Sequence, residues 1–337
     1  LRSSRLSAIR RALVVWYQRA ARDLPWRKNP DPYRVWIAEV MLQQTRVAAA
    51  LPYYERFLAR FPDVETLAAA PAAEVLAAWA GLGYYRRAQQ LHAAARRIVE
   101  SGGFPQDYAG WRALPGVGDY TAAAVASIAL GQPHAVADGN VLRVLSRLVA
   151  ETGAIEQADT RNRLTELAAR LLDRRNPGGF NQALMELGAI VCLPKVPRCG
   201  SCPVASWCAA RRQGIQAGLP RRARRTERAT VQRTLLWAER RGRLLLCPCS
   251  GGRLHGFWEL PDAETIPSKS ASRVVAELRH AITRYDYRIR VVAARVKGTP
   301  RGCRWAPLEE LQDWPLSTLT RKALAAIQGA SAGKDRS

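Results

Sequence analysis

From Leu1 to about Ala210 the apolar residues return every three to four positions, the spacing of one buried face of an α-helix. "SAIRRALVVWYQRAARDL", "DPYRVWIAEVMLQQTRVAAALPYYERFLARF", "AAEVLAAWAGLGYYRRAQQLHAAARRIVE" and "DTRNRLTELAARLLDRR" carry this pattern, broken by Pro and Gly. The stretch Ala209–Arg228 has few apolar residues and many arginines, and residues 211–228 read as a basic linker. Beyond it the texture changes. "ATVQRTLLWAER" and "RGRLLLCPC" read as strands meeting at a turn near Arg241–Gly242, and "YDYRIRVVAARV" as a further strand. "SRVVAELRHAI" fits helix and strand equally, and "STLTRKALAAIQ" closes the pattern as a helix. The predicted architecture is a mainly α domain over residues 1–210, then a small α+β domain over 229–328 and a disordered tail over 329–337. No internal repeat is present.

Composition narrows this picture. A chain of 337 residues with 48% hydrophobic content can bury two cores. It contains no apolar run long enough to span a bilayer and no secretory signal pattern, so no membrane partner is expected. Lys and Arg number 52 against 28 Asp and Glu, a formal charge of +24. Such an excess attracts polyanions such as nucleic acid, though a solvated basic surface carries the same signature. The seven cysteines are odd in number and four crowd into one segment, which fits a reducing cytoplasm better than a secreted disulfide framework.

Two short stretches carry candidate chemistry. In "LPGVGDYTA", Gly116, Val117 and Gly118 precede a helix of small residues. Backbone N–H groups at a helix start lack intrahelical partners, and glycines let a DNA phosphate approach them; a plain tight turn has the same sequence. In "CLPKVPRCGSCPVASWC", Cys192, Cys199, Cys202 and Cys208 form a C-x6-C-x2-C-x5-C loop spanning 192–208. Four thiolates suit tetrahedral zinc or an iron–sulfur cluster. The single CxxC, flanked by lone cysteines with prolines in the loops, favours a structural [4Fe–4S] cluster.

The hairpin, the Asp of "VADGNVLRVLSRL" and the cysteine quartet, in that order, resemble the helix-hairpin-helix DNA glycosylases of the endonuclease III superfamily. "LPWRKNPDPYRVWIAEVMLQQTRV" and "GLGYYRRAQQLHAAA" are similar to the adenine DNA glycosylases of the MutY type, which remove adenine mispaired with 8-oxoguanine. The resemblance implies a two-lobed helical domain on bent duplex DNA, with adenine flipped into a pocket. It also implies a monomer of the bacterial cytoplasm, associated with the nucleoid. It gives Glu39 the role of acid and Asp138 that of stabilising the sugar cation, with Asn140 in support. From the residues alone, Glu39 can equally be an exposed helix carboxylate paired with Arg34, and Asp138 an N-cap. Bifunctional relatives have a lysine where Tyr120 stands; a phenol forms no imine, so a monofunctional enzyme is expected, its hydroxyl holding Asp138 or the sugar.

By the same resemblance the adenine pocket draws on Arg22, Trp26, Arg27, Leu42, Gln182 and Met185. Gln44, Thr45, Leu82 and Tyr84 match residues that wedge into the duplex and contact the lesion strand, although Leu82 and Tyr84 also suit a core. "GGRLHGFWELPDAE" resembles the start of a Nudix (MutT-like) motif but lacks the magnesium-binding glutamates that follow there, which argues against a nucleotide-pool hydrolase. In the related lesion-reading loop, His280, Ile282 and Thr283 fit the family form, with Arg284 in place of a second histidine. Two other readings stay open: a glycosylase for thymine opposite guanine, and a catalytically silent DNA-binding module. The roles of Cys247, Cys249 and Cys303 are not fixed by the sequence.

Overall fold

The computed structural model describes residues 3–223, 228–249, 256–266, 271–282 and 285–332. In chain order the helices are α1 (Ser3–Ala20), α2 (Pro25–Lys28), α3 (Pro32–Leu42), α4 (Val47–Arg60), α5 (Val64–Ala69), α6 (Ala72–Trp79), α7 (Arg86–Glu100), α8 (Tyr108–Arg112), α9 (Asp119–Ile128), α10 (Gly139–Val149), α11 (Ala158–Leu171), α12 (Pro177–Glu186), α13 (Ala209–Arg212) and α14 (Thr318–Ala332). The strands are β1 (Ala229–Trp237), β2 (Glu239–Arg240), β3 (Arg243–Pro248), β4 (Trp258–Glu259), β5 (Ala271–Ile282), β6 (Tyr285–Ala294) and β7 (Arg304–Pro307). A mainly helical N-terminal region and a small mixed C-terminal one therefore form. Among the described residues no helix is long and apolar enough to cross a membrane.

The chain divides into two compact units. The first contains Leu1–Val47, Asp63–Ala68 and Ala93–Arg224. Its helices start where the sequence supplies acceptors for orphan N–H groups: Asp31 caps α3, Asp138 caps α10 and Asn176 caps α12, with Pro in the first turn of α3 and α12. Helix α9 is buried from Thr121 to Ser127, and its small side chains let α3 and α12 pack closely on it. The core joins Leu6, Ile9 and Leu13 of α1 to Val141, Leu145 and Leu148 of α10, Leu164 and Leu171 of α11, and Phe180, Leu184 and Leu187. A second, aromatic layer holds the start of α3: Tyr33, Trp36, Phe104 and Trp111, with the Phe104 and Trp111 rings stacked 5.8 Å apart. The arginine-rich stretch after α13 stays attached to this unit as far as Ala223. Leu219 is buried, Ile155 N–H donates to the Arg221 carbonyl, and Ala223 N–H donates to Glu156.

The second unit contains Ala48–Pro62, Ala69–His92 and Arg225–Ser337. Strand β6 lies between β1, parallel to it, and β5, antiparallel. Strand β3 pairs antiparallel with β2, β4 and β7. The β2–β3 turn is Arg241–Gly242, both with φ in the left-handed region, as a two-residue hairpin requires. Leu244 and Leu246 face a core shared with Leu235, Ile289, Val291 and Leu319, while Leu245 faces a smaller cluster with Ala238 and Cys303. A disulfide joins Cys247 of β3 to Cys303, the residue before β7, a pairing the odd cysteine count gave no sign of. Helix α14 continues to Ala332, beyond the position at which the sequence pattern starts a tail. From the helical part, Tyr85 lies 4.0 Å from the Phe257 ring and bonds Thr318 through its hydroxyl.

Candidate active site

Helix α3 is buried from Val35 to Met41, so its one carboxyl, Glu39, goes into the interior with it and is 5% exposed. Burial of that kind rules out the solvent-facing helix carboxylate, and Arg34 pairs with Asp31 one turn back. Tyr120, in the first turn of α9, donates its hydroxyl to Glu39 Oε2 at 2.5 Å and also meets Met185 Sδ at 3.3 Å. Removal from water lifts the Glu39 pKa to about 7; the Tyr120 hydrogen bond opposes this, the Asp138 charge adds to it, and Arg27 opposes it. The tyrosine is thus bonded to the glutamate, where the sequence reading gave it Asp138 or the sugar. A shared neighbourhood explains both: burial first, then the charges of Glu39 and Asp138, hold the phenol well above its ordinary pKa.

Asp138 is the N-cap of α10: one carboxylate oxygen accepts Val141 N–H at 2.7 Å and the other accepts Asn140 Nδ2 at 2.9 Å. Burial raises its pKa, and those hydrogen bonds restrain the rise. Asn140 in turn accepts from Arg143 at 2.8 Å, and Arg143 donates to the carbonyls of Cys192 and Gly188 at 2.8 and 2.7 Å. The cap and the site carboxylate are one side chain. Glu39, buried and at neutral-range pKa, and Asp138, half-buried, are close enough for the Asp138 charge to raise Glu39, an arrangement that can donate a proton and oppose a developing positive charge.

Two of the residues expected to line the adenine pocket, Arg22 and Arg27, converge on a group that sequence reasoning missed. Glu186, 1% exposed, accepts Arg22 Nε and Nη2 and Arg27 Nη2, each at 2.8 Å, and Arg22 N–H at 3.0 Å. Burial pushes its carboxyl up, but the two arginines prevail and hold it at about 2. Tyr17, also unforeseen, donates to Gln182 Oε1 at 3.2 Å and lies under the Arg27 guanidinium. Trp26 is buried on α2 beside Arg27, and Leu42 is half-buried at the end of α3. Glu186 follows Met185 directly, yet nothing in "NQALMELGA" separates it from an ordinary helix glutamate; only its distant arginines do.

Gly116 has φ of 73°, which a side chain rarely adopts, and it turns the chain so that Gly118 becomes the N-cap of α9. No side chain caps that helix, so its first N–H groups have no side-chain acceptor. Asp119 is tied to Arg112 and Tyr108, bracing the hairpin from its outer side. Nearby in the first unit Gln44 is exposed with φ of 58°, Thr45 bonds the Gln43 carbonyl, and Gln43 donates to Thr121 at 3.1 Å. In the second unit Leu82 is buried and Tyr84 is 56% exposed with φ of 49°, the Arg87 guanidinium over its ring. The left-handed backbone at Gln44 and Tyr84 costs a non-glycine residue about 1–3 kcal/mol. His280 Nδ1 meets Lys322 Nζ at 3.2 Å; Thr283 and Arg284 lie outside the described residues.

The thiols of Cys192, Cys199, Cys202 and Cys208 are free and half-buried around a cavity walled by Val144, Leu148, Leu187, Val191 and Val204. Burial pushes the Cys202 thiol up to about 11 and raises Cys208 as well, so without a cation both stay protonated. Among the described residues no three His, Cys, Asp or Glu side chains converge on a point that one metal ion could occupy. The donor set nonetheless fits a thiolate-bound cluster, for a reason outside the cysteines. Arg147 is 1% exposed and has no ion-pair partner among the described residues; it donates to Cys192 Sγ at 3.3 Å and to the carbonyls of Leu193, Pro194 and Leu219. A buried guanidinium needs a counter-charge, and thiolates would supply it.

With this geometry in place, comparison with known proteins is direct. Residues 37–170 match the family model described as HhH-GPD superfamily base excision DNA repair protein. A Homo sapiens protein named adenine DNA glycosylase is 33% identical over 411 residues, covering 97% of this chain and 75% of its own length. A Rattus norvegicus protein of the same name is 46% identical over 229 residues, covering 64% of this chain and 44% of its own length. The solved structure of a thermostable thymine-DNA glycosylase superposes with a TM-score of 0.55 at 28% identity, over 62% of this chain and 98% of that one.

Proposed function

The chain belongs to the adenine DNA glycosylases of the HhH-GPD superfamily, and on that premise we propose that it excises adenine opposite 8-oxoguanine or guanine from duplex DNA without cutting the strand. The observation that carries the reading is the pairing of buried Glu39 with half-buried Asp138, with Tyr120 on Glu39. A flipped adenine has its ring nitrogen protonated by Glu39, which at a pKa of about 7 still holds its proton near neutrality. As the bond from the sugar breaks, its electron pair leaves with the base, and the Asp138 carboxylate opposes the positive charge left on the sugar. Water then adds to that carbon and the Glu39 carboxylate takes its proton. Tyr120 offers no amine for an imine, so the product is an abasic site in an intact strand.

Arg22, Arg27, Gln182 and Met185 are the polar and soft walls for the base, with Glu186 fixing both guanidiniums, and Trp26 and Leu42 complete it as apolar faces. Gly116, Val117 and Gly118 hold a backbone phosphate. Gln44, Thr45, Leu82 and Tyr84 contact the lesion strand, and the C-terminal region, through Thr283, reads 8-oxoguanine as a MutT-like domain would. Cys192, Cys199, Cys202 and Cys208 would hold a [4Fe–4S] cluster; when bound it supplies cross-links within the loop and a negative neighbour for Arg147. The likeness to a thymine-DNA glycosylase keeps thymine opposite guanine as a second substrate to test.

The test is a single-turnover assay on duplexes with adenine opposite 8-oxoguanine, adenine opposite guanine, and thymine opposite guanine. Excision fastest on the first, strand breaks only after alkali, and little borohydride-trapped complex are expected. Preference for thymine, or efficient trapping through a lysine, would overturn the reading.

A further inference from the structure

We propose that Asn181 is a positioning residue for excision, its buried amide setting the place of Asp138 by clamping the irregular segment that delivers it. The proposal rests on the reading of Asp138 as the group that opposes the sugar's charge. Residues 131–138 belong to neither helix nor strand, so the backbone before Asp138 has no ladder of hydrogen bonds to fix its register. Asn181, on α12 and 1% exposed, fills that gap. Its Nδ2 donates to the His134 carbonyl at 2.7 Å and to Ser127 Oγ at 2.8 Å, while its Oδ1 accepts Val136 N–H at 3.3 Å. The amide can face only one way, because a carbonyl accepts and an N–H donates.

Three features make this clamp specific to Asp138. Gly178, one turn earlier on α12, has no room for a side chain: a Cβ there would lie 2.7 Å from the Ser127 carbonyl and 2.8 Å from Ile128 Cα. The close approach of α12 to α9 brings Asn181 within reach of both Ser127 and the 134–136 backbone. Val136, two residues before Asp138, is fully buried, and the His134 ring stacks on Tyr108 at 4.6 Å. The middle of the segment is therefore held twice at His134 and Val136, by their side chains and, through the main chain, by Asn181. A carboxylate misplaced by about 1 Å at the reacting centre costs on the order of 10²-fold in rate.

Asn181→Ser keeps a small polar group but cannot span both His134 and Val136, and Ser127→Ala removes one partner of the amide while leaving the other two. Single-turnover excision should fall about 10- to 100-fold in the first variant and by a smaller factor in the second, with DNA affinity within about twofold of the parent. The pH profile separates positioning from general loss of structure. Glu39 is faced by Tyr120, Arg27 and Asp138; of these only the Asp138 charge raises its pKa. When the loosened segment lets Asp138 shift away from Glu39, the limb of the profile that falls as Glu39 loses its proton should move to lower pH. A merely structural role would lower the amplitude with the folded fraction and leave that limb where it is. An unchanged limb in a folded Asn181→Ser protein, or in Ser127→Ala should the first not fold, would overturn the proposal. Asp138→Asn distinguishes failure of the premise: if it excises at the parent rate, Asp138 has no such role. If it is inactive while Asn181→Ser behaves as the parent, only the clamp is wrong.

Discussion

Glu39 is the residue on which stability and activity pull in opposite directions. Its carboxyl titrates near 7 in the folded chain against 4.5 as an ordinary glutamate, so the fold prefers the protonated form. Between those two values the folded chain keeps a proton that the unfolded chain has lost, and stability therefore falls as pH rises through that window. Above it the burden is on the order of 3 kcal/mol. Glu39→Gln removes the titration and keeps the shape, so it should raise the melting temperature at pH 8 and change it little at pH 4.5. Excision should drop by at least the roughly 10²–10⁴-fold associated with general acid catalysis. Thermal melts at the two pH values alongside single-turnover rates check this. A Gln variant that lost stability at pH 8, or kept its activity, would contradict the assignment. The sequence named Glu39 but could not reveal its partner: that Tyr120 bonds it depends on α9 packing against α3, 81 residues away.

Helix starts were legible because their chemistry is local. Asp138 stands where the sequence reads a cap, and Asp31 and Asn176 cap α3 and α12 by the same local chemistry. "SRVVAELRHAI" was not, since its apolar positions suit both periods; its pairing with β6 decides for strand. The α9 hairpin lies between these cases: the turn is visible in the sequence, the absence of a capping side chain only in the structure. It yields a clean test, because Gly118 has φ of −92° and a Cβ added there would meet no atom within 4 Å. Gly118→Ala should accordingly leave the melting temperature nearly unchanged. If a DNA phosphate sits on those N–H groups, the added methyl should weaken duplex binding about 10-fold or more, on matched and mismatched sequences alike, since phosphate contacts carry no base information. Equal affinity for the two proteins would make the hairpin a turn and nothing more.

At the scale of the whole molecule, composition changes after the arginine-rich stretch, and the compact units divide within that stretch, but not there alone. The second unit takes in residues 48–62 and 69–92 together with everything from 225 onward, and Tyr85 packs on Phe257 and bonds Thr318 within it. Contacts between residues so far apart in sequence leave no trace in local periodicity, whereas the linker's loss of apolar residues does. Truncation after Arg224 is then a poor probe of lesion reading, because it strips partners from helices that precede the cut. The better probe is Thr283→Ala in the full chain. A hydrogen bond to the lesion has a net worth of about 0.5–1.5 kcal/mol, or roughly 2- to 12-fold in rate. If Thr283 makes it, the rate opposite 8-oxoguanine should fall by that factor and the rate opposite guanine should stay level, so their ratio shrinks. Equal losses on both duplexes would mean that Thr283 contributes general affinity only.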